Sequence, residues 1–416
     1  MTADRSSDRC SDRRRVVITG LGAVSSIGVG VAEFGSGLRA GSSGARPITA
    51  FDTAGYAHAV GCEVADFDPA PWLRHYQPAE LGRASQFSVA AARMAVADGG
   101  LTLAELRSAR TIAAVGTTDG ESRDLDLLVG TQVAAGSAEM DPVVARRVPA
   151  GRLSTCVARE LELTDVEAVS IPTACAAGNY AIGYGLDAVR AGEARFALCG
   201  GADAVCRKTF SGFYRLGTVA PERCQPFDRH RKGILTGEGA GVLLLESLAS
   251  ARARGARCYA EVLGYGLNCD ADHPVAPNRD SIARCMQLAH RNAGVRPDEV
   301  DFISAHGTGT RANDITEAAA IRQVFGDRPP RTISIKSMIG HTMGAASALA
   351  AVGCALAITD RFIPPTINHV ETDPECALDC VPNDAVEAEL RVVQNNALAF
   401  GGNNAVVILG RLESAA

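Results

Sequence analysis

Aromatic residues are scarce in this chain of 416 residues: they make up 5%, with a single Trp. Stacking platforms of the kind that hold single-stranded nucleic acid are therefore not expected. Positive charge is not in excess either, and a net charge of −6 argues against nucleic acid as a main partner. The 13 cysteines include no C-x-x-C pair, and His residues do not accompany them at metal-ligand spacing. Neither a zinc site nor a disulfide framework is expected; the pattern suits reduced thiols in a cytoplasmic protein. No stretch reads as an uncharged membrane span. The opening residues, "MTADRSSDRCSDRRR", lack an apolar core. Residues 1–14 are read as a disordered tail and not as a signal peptide. A dinucleotide fingerprint is missing too: "RVVITGLGAVSSIG" is a strand entering a Gly-rich turn, but its glycines are not spaced G-x-G-x-x-G.

What is abundant is glycine, 43 residues, together with a repeated alternation of strand-like and helix-like segments. Buried strands are predicted at "TIAAVGTT", "VEAVSIPTA", "ARFALCGGADAV" and "GAGVLLLES", and helices at "RASQFSVAAARMAVADGGL" and "AAGNYAIGYGLDAVRAGEA". Near residue 300 the order restarts, with "VDFISAHGTGT", "NDITEAAAIRQVF" and "RTISIKSMIGHTMGAASALAAVGCALAI". The chain therefore reads as a duplicated α/β unit. The turn at Cys175 in the first half has a counterpart in the turn at His341 in the second.

Cys175, in "IPTACAAGN", sits between a predicted strand and a predicted helix. Unpaired N–H groups at a helix start stabilise an anion, so the thiol's pKa is expected to fall and its nucleophilicity to rise. The same stretch also suits a buried cysteine that packs as a small hydrophobe. His306 in "AHGTGT" and His341 in "KSMIGHTMGA" fall at predicted strand ends, where open α/β sheets place their sites. A thiolate accepts an acyl group from a thioester. Two imidazoles that donate hydrogen bonds can hold a developing enolate oxygen. That set fits decarboxylation of a malonyl group followed by carbon–carbon bond formation better than peptide hydrolysis.

Five motifs in order, "TACAAGN", "PFDRHRKGILTGEGAG", "AHGTGTRANDITE", "SIKSMIGHTMGA" and "FGGNNA", resemble those of the β-ketoacyl-acyl carrier protein synthases. The synthase II type and type II polyketide ketosynthases are the nearest in pattern, over about residues 15–412. The resemblance implies a thiolase-like fold: two α/β halves in a five-layer αβαβα sandwich, residues 15–260 with the nucleophile and 261–416 with both histidines. It implies that Cys175 accepts the acyl chain and that His306 and His341 act on the malonyl extender. Lys336 would pair with Glu317, helped by Asp314, to position the His loops. Phe400, before Gly401, would gate the cavity, and its N–H with that of Cys175 would form an oxyanion hole. Thr308 and Thr310 would contact substrate.

The partner implied is an acyl carrier protein bearing phosphopantetheine-linked acyl and malonyl groups, docked on Arg207, Lys208 and above all Arg215, with Arg223 nearby. No cofactor, metal, nucleic acid or membrane is implied. The assembly expected is a homodimer, or a heterodimer with a chain-length factor. Asp119 falls at the floor of the acyl tunnel, near the dimer interface. A carboxylate there needs a partner, expected from the neighbouring subunit. The product is a 3-oxoacyl chain of fatty acid or, more in keeping with Asp119, polyketide or polyene biosynthesis. The alternatives fit less well. A thiolase needs a second cysteine near the C-terminus, and "AFGGNNAVV" has none; a chain-length subunit would lack Cys175.

Overall fold

The computed structural model describes residues 15–412. The expected tail, residues 1–14, lies outside them.

Ten strands form the path of one sheet. They are β1 (Val16–Ser25), β2 (Thr111–Gly116), β3 (Val166–Ile171), β4 (Phe196–Asp203), β5 (Gly239–Ser247), β6 (Ala260–Cys269), β7 (Phe302–Ser304), β8 (Arg331–Ile333), β9 (Val392–Leu398) and β10 (Asn403–Gly410). An eleventh, Gly28–Val29, pairs only with the end of β1. The order is β8-β7-β9-β10-β6-β1-β5-β4-β2-β3. Each half thus repeats one pattern. β2 lies parallel to β3 and β4, β5 runs antiparallel to β4 and β1, and β7, β8, β9, β10 and β6 do the same in the second half. The halves meet where β1 and β6 pair antiparallel through Val17↔Glu261 and Ile18↔Ala260. Both strands of this join carry an irregularity at the same place, between Ile18 and Gly20 and between Val262 and Gly264. Gly20 and Gly264 each press against a helix backbone, so neither position has room for a Cβ.

Helices complete the five layers. α1 (Arg83–Asp98), α2 (Ser122–Ala135), α3 (Arg152–Glu160), α4 (Ala177–Ala191) and α5 (Arg207–Arg215) belong to the first half, and α6 (Arg279–Ala293), α7 (Arg311–Phe325) and α8 (Ala346–Asp360) to the second. α1 and α3 cover the outer face of the first half, and α6 and α7 that of the second. α4 and α8 touch strands of both halves and fill the middle layer. A helix in that position must be apolar on every side. α8 meets the demand with an unbroken buried run from Ala346 to Ile358. The segment Met343–Asp360 is in fact long and apolar enough to cross a membrane, contrary to the sequence reading, but 89% of it is buried inside the protein. It is a core helix.

α4 and α8 cross closely at Gly178, where an added Cβ would lie 2.7 Å from the Ala348 nitrogen. Gly178→Ala is expected to lower stability by about 1–3 kcal/mol through forced backbone movement. The midpoint of urea unfolding checks this, and an unchanged midpoint would show that the crossing has slack.

Candidate functional site

The chain leaves β3 and turns at Ala174–Ala176, a single 3-10 turn that leads directly into α4. Ala174 has φ +50°, a left-handed conformation that costs a non-glycine residue about 1–2 kcal/mol. The second half repeats the device: Met343, φ +51°, opens the turn Met343–Ala345 that leads into α8. Cys175 is the middle residue of the first turn, and Gly344 is the middle residue of the second. His341 lies just before that second turn. It is not at a strand end as expected, because the single helical turn Lys336–Ile339 intervenes after β8. His306 follows β7 by two residues, as expected.

One cavity of about 330 Å³ brings Cys175, His306 and His341 together. The two imidazole rings are 5.4 Å apart, centroid to centroid, and nearly perpendicular at 81°. Phe400, Thr308 and Thr310 also line the cavity, while Gly401 adjoins Phe400 just outside the lining. Phe400 is 38% exposed. It packs on Phe213 at 5.2 Å, and Phe213 in turn lies 6.4 Å from His341. Phe213 was not singled out from the sequence, where it stands within a run read for its charges. The loop of Phe400 is tied across the cavity by Gly401 N–H, which donates to the Pro274 carbonyl at 2.8 Å, and by Asp270 N–H, which donates to that of Gly402 at 2.9 Å.

Lys336 and Glu317 do not form the direct ion pair that was expected. They grip the His306 loop from either side. Lys336 Nζ donates to the His306 carbonyl. The N–H groups of His306 and Gly307 donate to the Glu317 carboxylate, each at 2.8 Å. Asn396 Nδ2 adds a third hydrogen bond to Glu317, at 3.1 Å, and was likewise missed in the sequence. Asp314, one helical turn away on α7, accepts from the N–H groups of Thr308, Gly309 and Phe227. Burial pushes the Asp314 carboxyl up to about 6. Arg231, itself buried, lies 3.6 Å from Asp314 and 2.6 Å from Asp373.

Burial decides the protonation of Cys175 and the two histidines in the cavity. It raises the Cys175 thiol to about 12, against the lowering influence of the Lys336 charge. The depressed thiol expected from the helix start is therefore not found, because loss of water outweighs both favourable influences. Burial also holds both imidazoles well below the ordinary range, and the Lys336 charge works in the same direction. His306 and His341 are neutral at pH 7. Met343 N–H donates to His341 Nδ1 at 3.2 Å, which places the ring proton on Nε2 and makes that nitrogen a donor.

Asp119 is not on the cavity wall, and its carboxylate finds partners within its own chain. Lys208 Nζ lies 2.6 Å from its carboxylate, and Thr209 Oγ1 donates to it at 2.6 and 2.8 Å. Lys208 is therefore already paired, and Arg207 is paired with Asp126 at 3.3 Å. Both cations stay about half exposed at the surface. Arg215 is exposed at the end of α5 and carries no ion pair among the described residues. A second buried carboxylate, Asp203 at the end of β4, was missed. Burial first, and Asp119 second, push it up to about 7. It accepts from Thr117 Oγ1 at 2.6 Å, from the N–H groups of Thr118 and Asp119, and from Gly344 N–H at 2.6 Å.

Residues 13–251 match the family described as "Beta-ketoacyl synthase, N-terminal domain", and residues 259–370 match "Beta-ketoacyl synthase, C-terminal domain". The chain belongs to the β-ketoacyl synthase family. It is 36% identical to 3-oxoacyl-[acyl-carrier-protein] synthase 2 of Synechocystis sp., over 94% of this chain and 97% of the relative. The enzyme of the same name from Coxiella burnetii is also 36% identical, over 96% and 99%. Among solved structures, the ishigamide ketosynthase/chain length factor superposes with a TM-score of 0.95 and 63% identity, over 96% of this chain and 100% of the other. A type II PKS acyl-carrier protein in complex with its ketosynthase bound to the hexaketide gives a TM-score of 0.87 at 29% identity, again over 96% and 100%. This β-ketoacyl synthase has the thiolase-like αβαβα architecture.

Neutral imidazoles have a consequence for pH. The rate of malonyl decarboxylation is expected to hold as pH falls through about 6.5, the ordinary imidazole value. Lys336→Met removes one of the influences that lower both imidazoles, so its acid limb should move to higher pH. A wild-type limb centred on the ordinary value, or a mutant profile that does not move, would contradict the assignment.

Proposed function

We propose that this chain is the catalytic ketosynthase subunit that extends a carrier-bound acyl chain by decarboxylative Claisen condensation. The observation that carries this reading is the single cavity holding a thiol at a strained helix-start turn and two neutral imidazoles 5.4 Å apart. In the loading step the Cys175 sulfur bonds to the acyl carbonyl carbon and the carrier's C–S bond breaks. The thiol proton passes to the departing carrier thiolate. Neutral His306, whose ring nitrogens make no hydrogen bond among the described residues, is the base that relays it. Malonyl carrier then loses carbon dioxide. The Nε2–H of His341, together with His306, holds the enolate oxygen. The enolate carbon attacks the acyl-cysteine, the bond to Sγ breaks, and the departing thiolate takes up one proton. The products are 3-oxoacyl carrier protein and carbon dioxide. The N–H groups of Cys175 and Phe400 are assigned to the oxyanion of the tetrahedral intermediate.

The presence of Cys175 and both histidines makes this the catalytic member of its assembly and not a chain-length subunit. Its partner surface is assigned to the unpaired edge of β3 and to α2, where Leu125, Leu127, Val129 and Val133 are exposed. The ishigamide ketosynthase/chain length factor supports a chain-length factor as the partner, and the type II PKS ketosynthase bound to a hexaketide supports polyketide chains as the product. The join between the two halves is placed at residue 260, and the protein is assigned to the cytoplasm.

Cys175→Ala is expected to abolish both acyl transfer and condensation. An acyl adduct on the mutant, seen by intact mass after incubation with acyl carrier protein, would move the nucleophile elsewhere. His306→Ala and His341→Ala should each lower malonyl decarboxylation by about 10²–10³, the usual cost of one oxyanion donor. Carbon dioxide release at the wild-type rate by both would defeat the two-imidazole mechanism. For the carrier, Arg215→Glu should raise KM for acyl carrier protein while sparing a small thioester. Equal loss on both substrates would show misfolding in place of docking.

A further inference from the structure

We propose that His290 and Gln394 are positioning residues for the condensation. With Asn396 they form a one-way chain of hydrogen bonds that sets the Glu317 carboxylate and, through it, the backbone of His306. This rests on the condensing-enzyme reading and extends it to residues outside the cavity.

β9, "VVQNNAL", is paired on both sides, yet its middle holds three amide side chains in a row, all buried. Buried amides are costly unless each finds partners. Successive side chains of a strand point to opposite faces. Asn395 points to Asn179 and Ser347, where the two central helices cross. Gln394 and Asn396 point the other way, towards α6 and α7. The helix crossing accounts for Asn395. Gln394 is on the opposite face and does not line the cavity.

The direction of the chain follows from its acidic end. The Glu317 carboxylate offers only acceptors. Asn396 must turn its Nδ2 to Oε1 of Glu317, at 3.1 Å, and its Oδ1 then faces back along β9. That oxygen accepts from Gln394 Nε2 at 2.8 Å. Gln394 is left with Oε1, which lies 2.7 Å from His290 Nε2. His290 must therefore carry its proton on Nε2. Burial holds this imidazole below its ordinary range, which favours the neutral ring. Flipping either amide would set two donors or two acceptors face to face in a buried place.

The chain ends on the loop that bears a reacting histidine. Oε1 of Glu317 accepts from both Asn396 Nδ2 and His306 N–H, the latter at 2.8 Å. Oε2 accepts from Gly307 N–H at 2.8 Å and from Asn313 Nδ2 at 3.4 Å. Each carboxylate oxygen thus holds one loop N–H and one side-chain amide, and the amides fix the plane in which the loop is gripped. At the other end His290 belongs to the last turn of α6, and its ring packs edge-on against Phe325 at 5.5 Å and 84°. An outer-layer helix is thereby connected to the His306 loop through one strand.

The test measures kcat and KM for carbon dioxide release from malonyl carrier protein. His290→Phe keeps a flat ring against Phe325 but removes the donor. Gln394→Met keeps the side-chain volume, leaves α6 untouched and cuts the chain in its middle. Each should lower kcat about tenfold, the worth of one buried hydrogen bond, with KM unchanged. The two changes together should cost no more than Gln394→Met alone, since one cut already interrupts the chain. His290→Gln returns an N–H donor near the position of Nε2 and should keep kcat close to wild type. Wild-type kcat in Gln394→Met overturns the relay, as does a double variant that shows the full sum of both losses. An equal fall in His290→Gln and His290→Phe would make His290 a packing residue and overturn it too. No carbon dioxide from the wild-type chain would overturn the condensing-enzyme reading itself, and the relay with it.

Discussion

The crossing of the two central helices is the contact on which the site depends. Gly178 lets α4 approach the backbone of α8, and a shared polar cluster locks the approach. Asn179 N–H donates to Ser347 Oγ at 3.0 Å, and Asn395 Nδ2 donates to Asn179 Oδ1 and to the Ser347 carbonyl, each at 2.9 Å. Because α4 and α8 are equivalent elements of a duplicated unit, this crossing sets their two opening turns side by side. Duplication alone would give two identical turns. Gly344 shows why only one carries a thiol: a Cβ there would lie 2.5 Å from Thr117 Cα and 2.8 Å from an Asp203 oxygen. The second turn is packed shut against the first half, and its contribution to the cavity comes from His341, just upstream.

Burial then favours the neutral forms of Cys175, His306 and His341. It raises the thiol and lowers the imidazoles for the same reason, the loss of water around charge. Lys336 is the buried cation among them, and burial lowers its own pKa as well, against the opposing influence of Glu317. A buried charge needs partners with good geometry. Here Lys336 takes a carbonyl and Glu317 the neighbouring N–H groups of one loop, so the two charges compensate each other through a peptide unit they both orient. The same cation holds the His306 loop in place and helps keep the imidazoles unprotonated.

Features that depend on neighbouring residues were legible in the sequence. The strand–turn–helix around Cys175, the restart near residue 300 and the shared helix face of Asp314 and Glu317 all follow from local periodicity. Features that depend on distant groups were not. The partner of Glu317 is a backbone N–H across a loop, and that of Lys336 is a carbonyl 30 residues away. No side-chain pattern marks either. The thiol expectation failed for a related reason. A helix start is a local property, whereas burial is set by the whole cavity. The apolar run at Met343–Asp360, which was not read as a span from the sequence, takes its meaning from the strands of both halves that pack on it.

Asp119 illustrates how a charge that looks misplaced in one dimension is accounted for in three. Its carboxylate takes Lys208 and Thr209 from the first turn of α5, and its N–H donates to Asp203. Asp203 in turn accepts the N–H of Gly344, in the turn that follows His341. The two acids thus join the end of β2, the start of α5 and the His341 turn into one rigid unit. The far turn of α5 carries Phe213, which rests on His341 and on Phe400. The hydrogen bonds of this polar pair are directed into the scaffold, and neither acid lines the cavity. What the pair fixes is the angle at which α5 presents Phe213 to Phe400, on the wall of the cavity that holds Cys175.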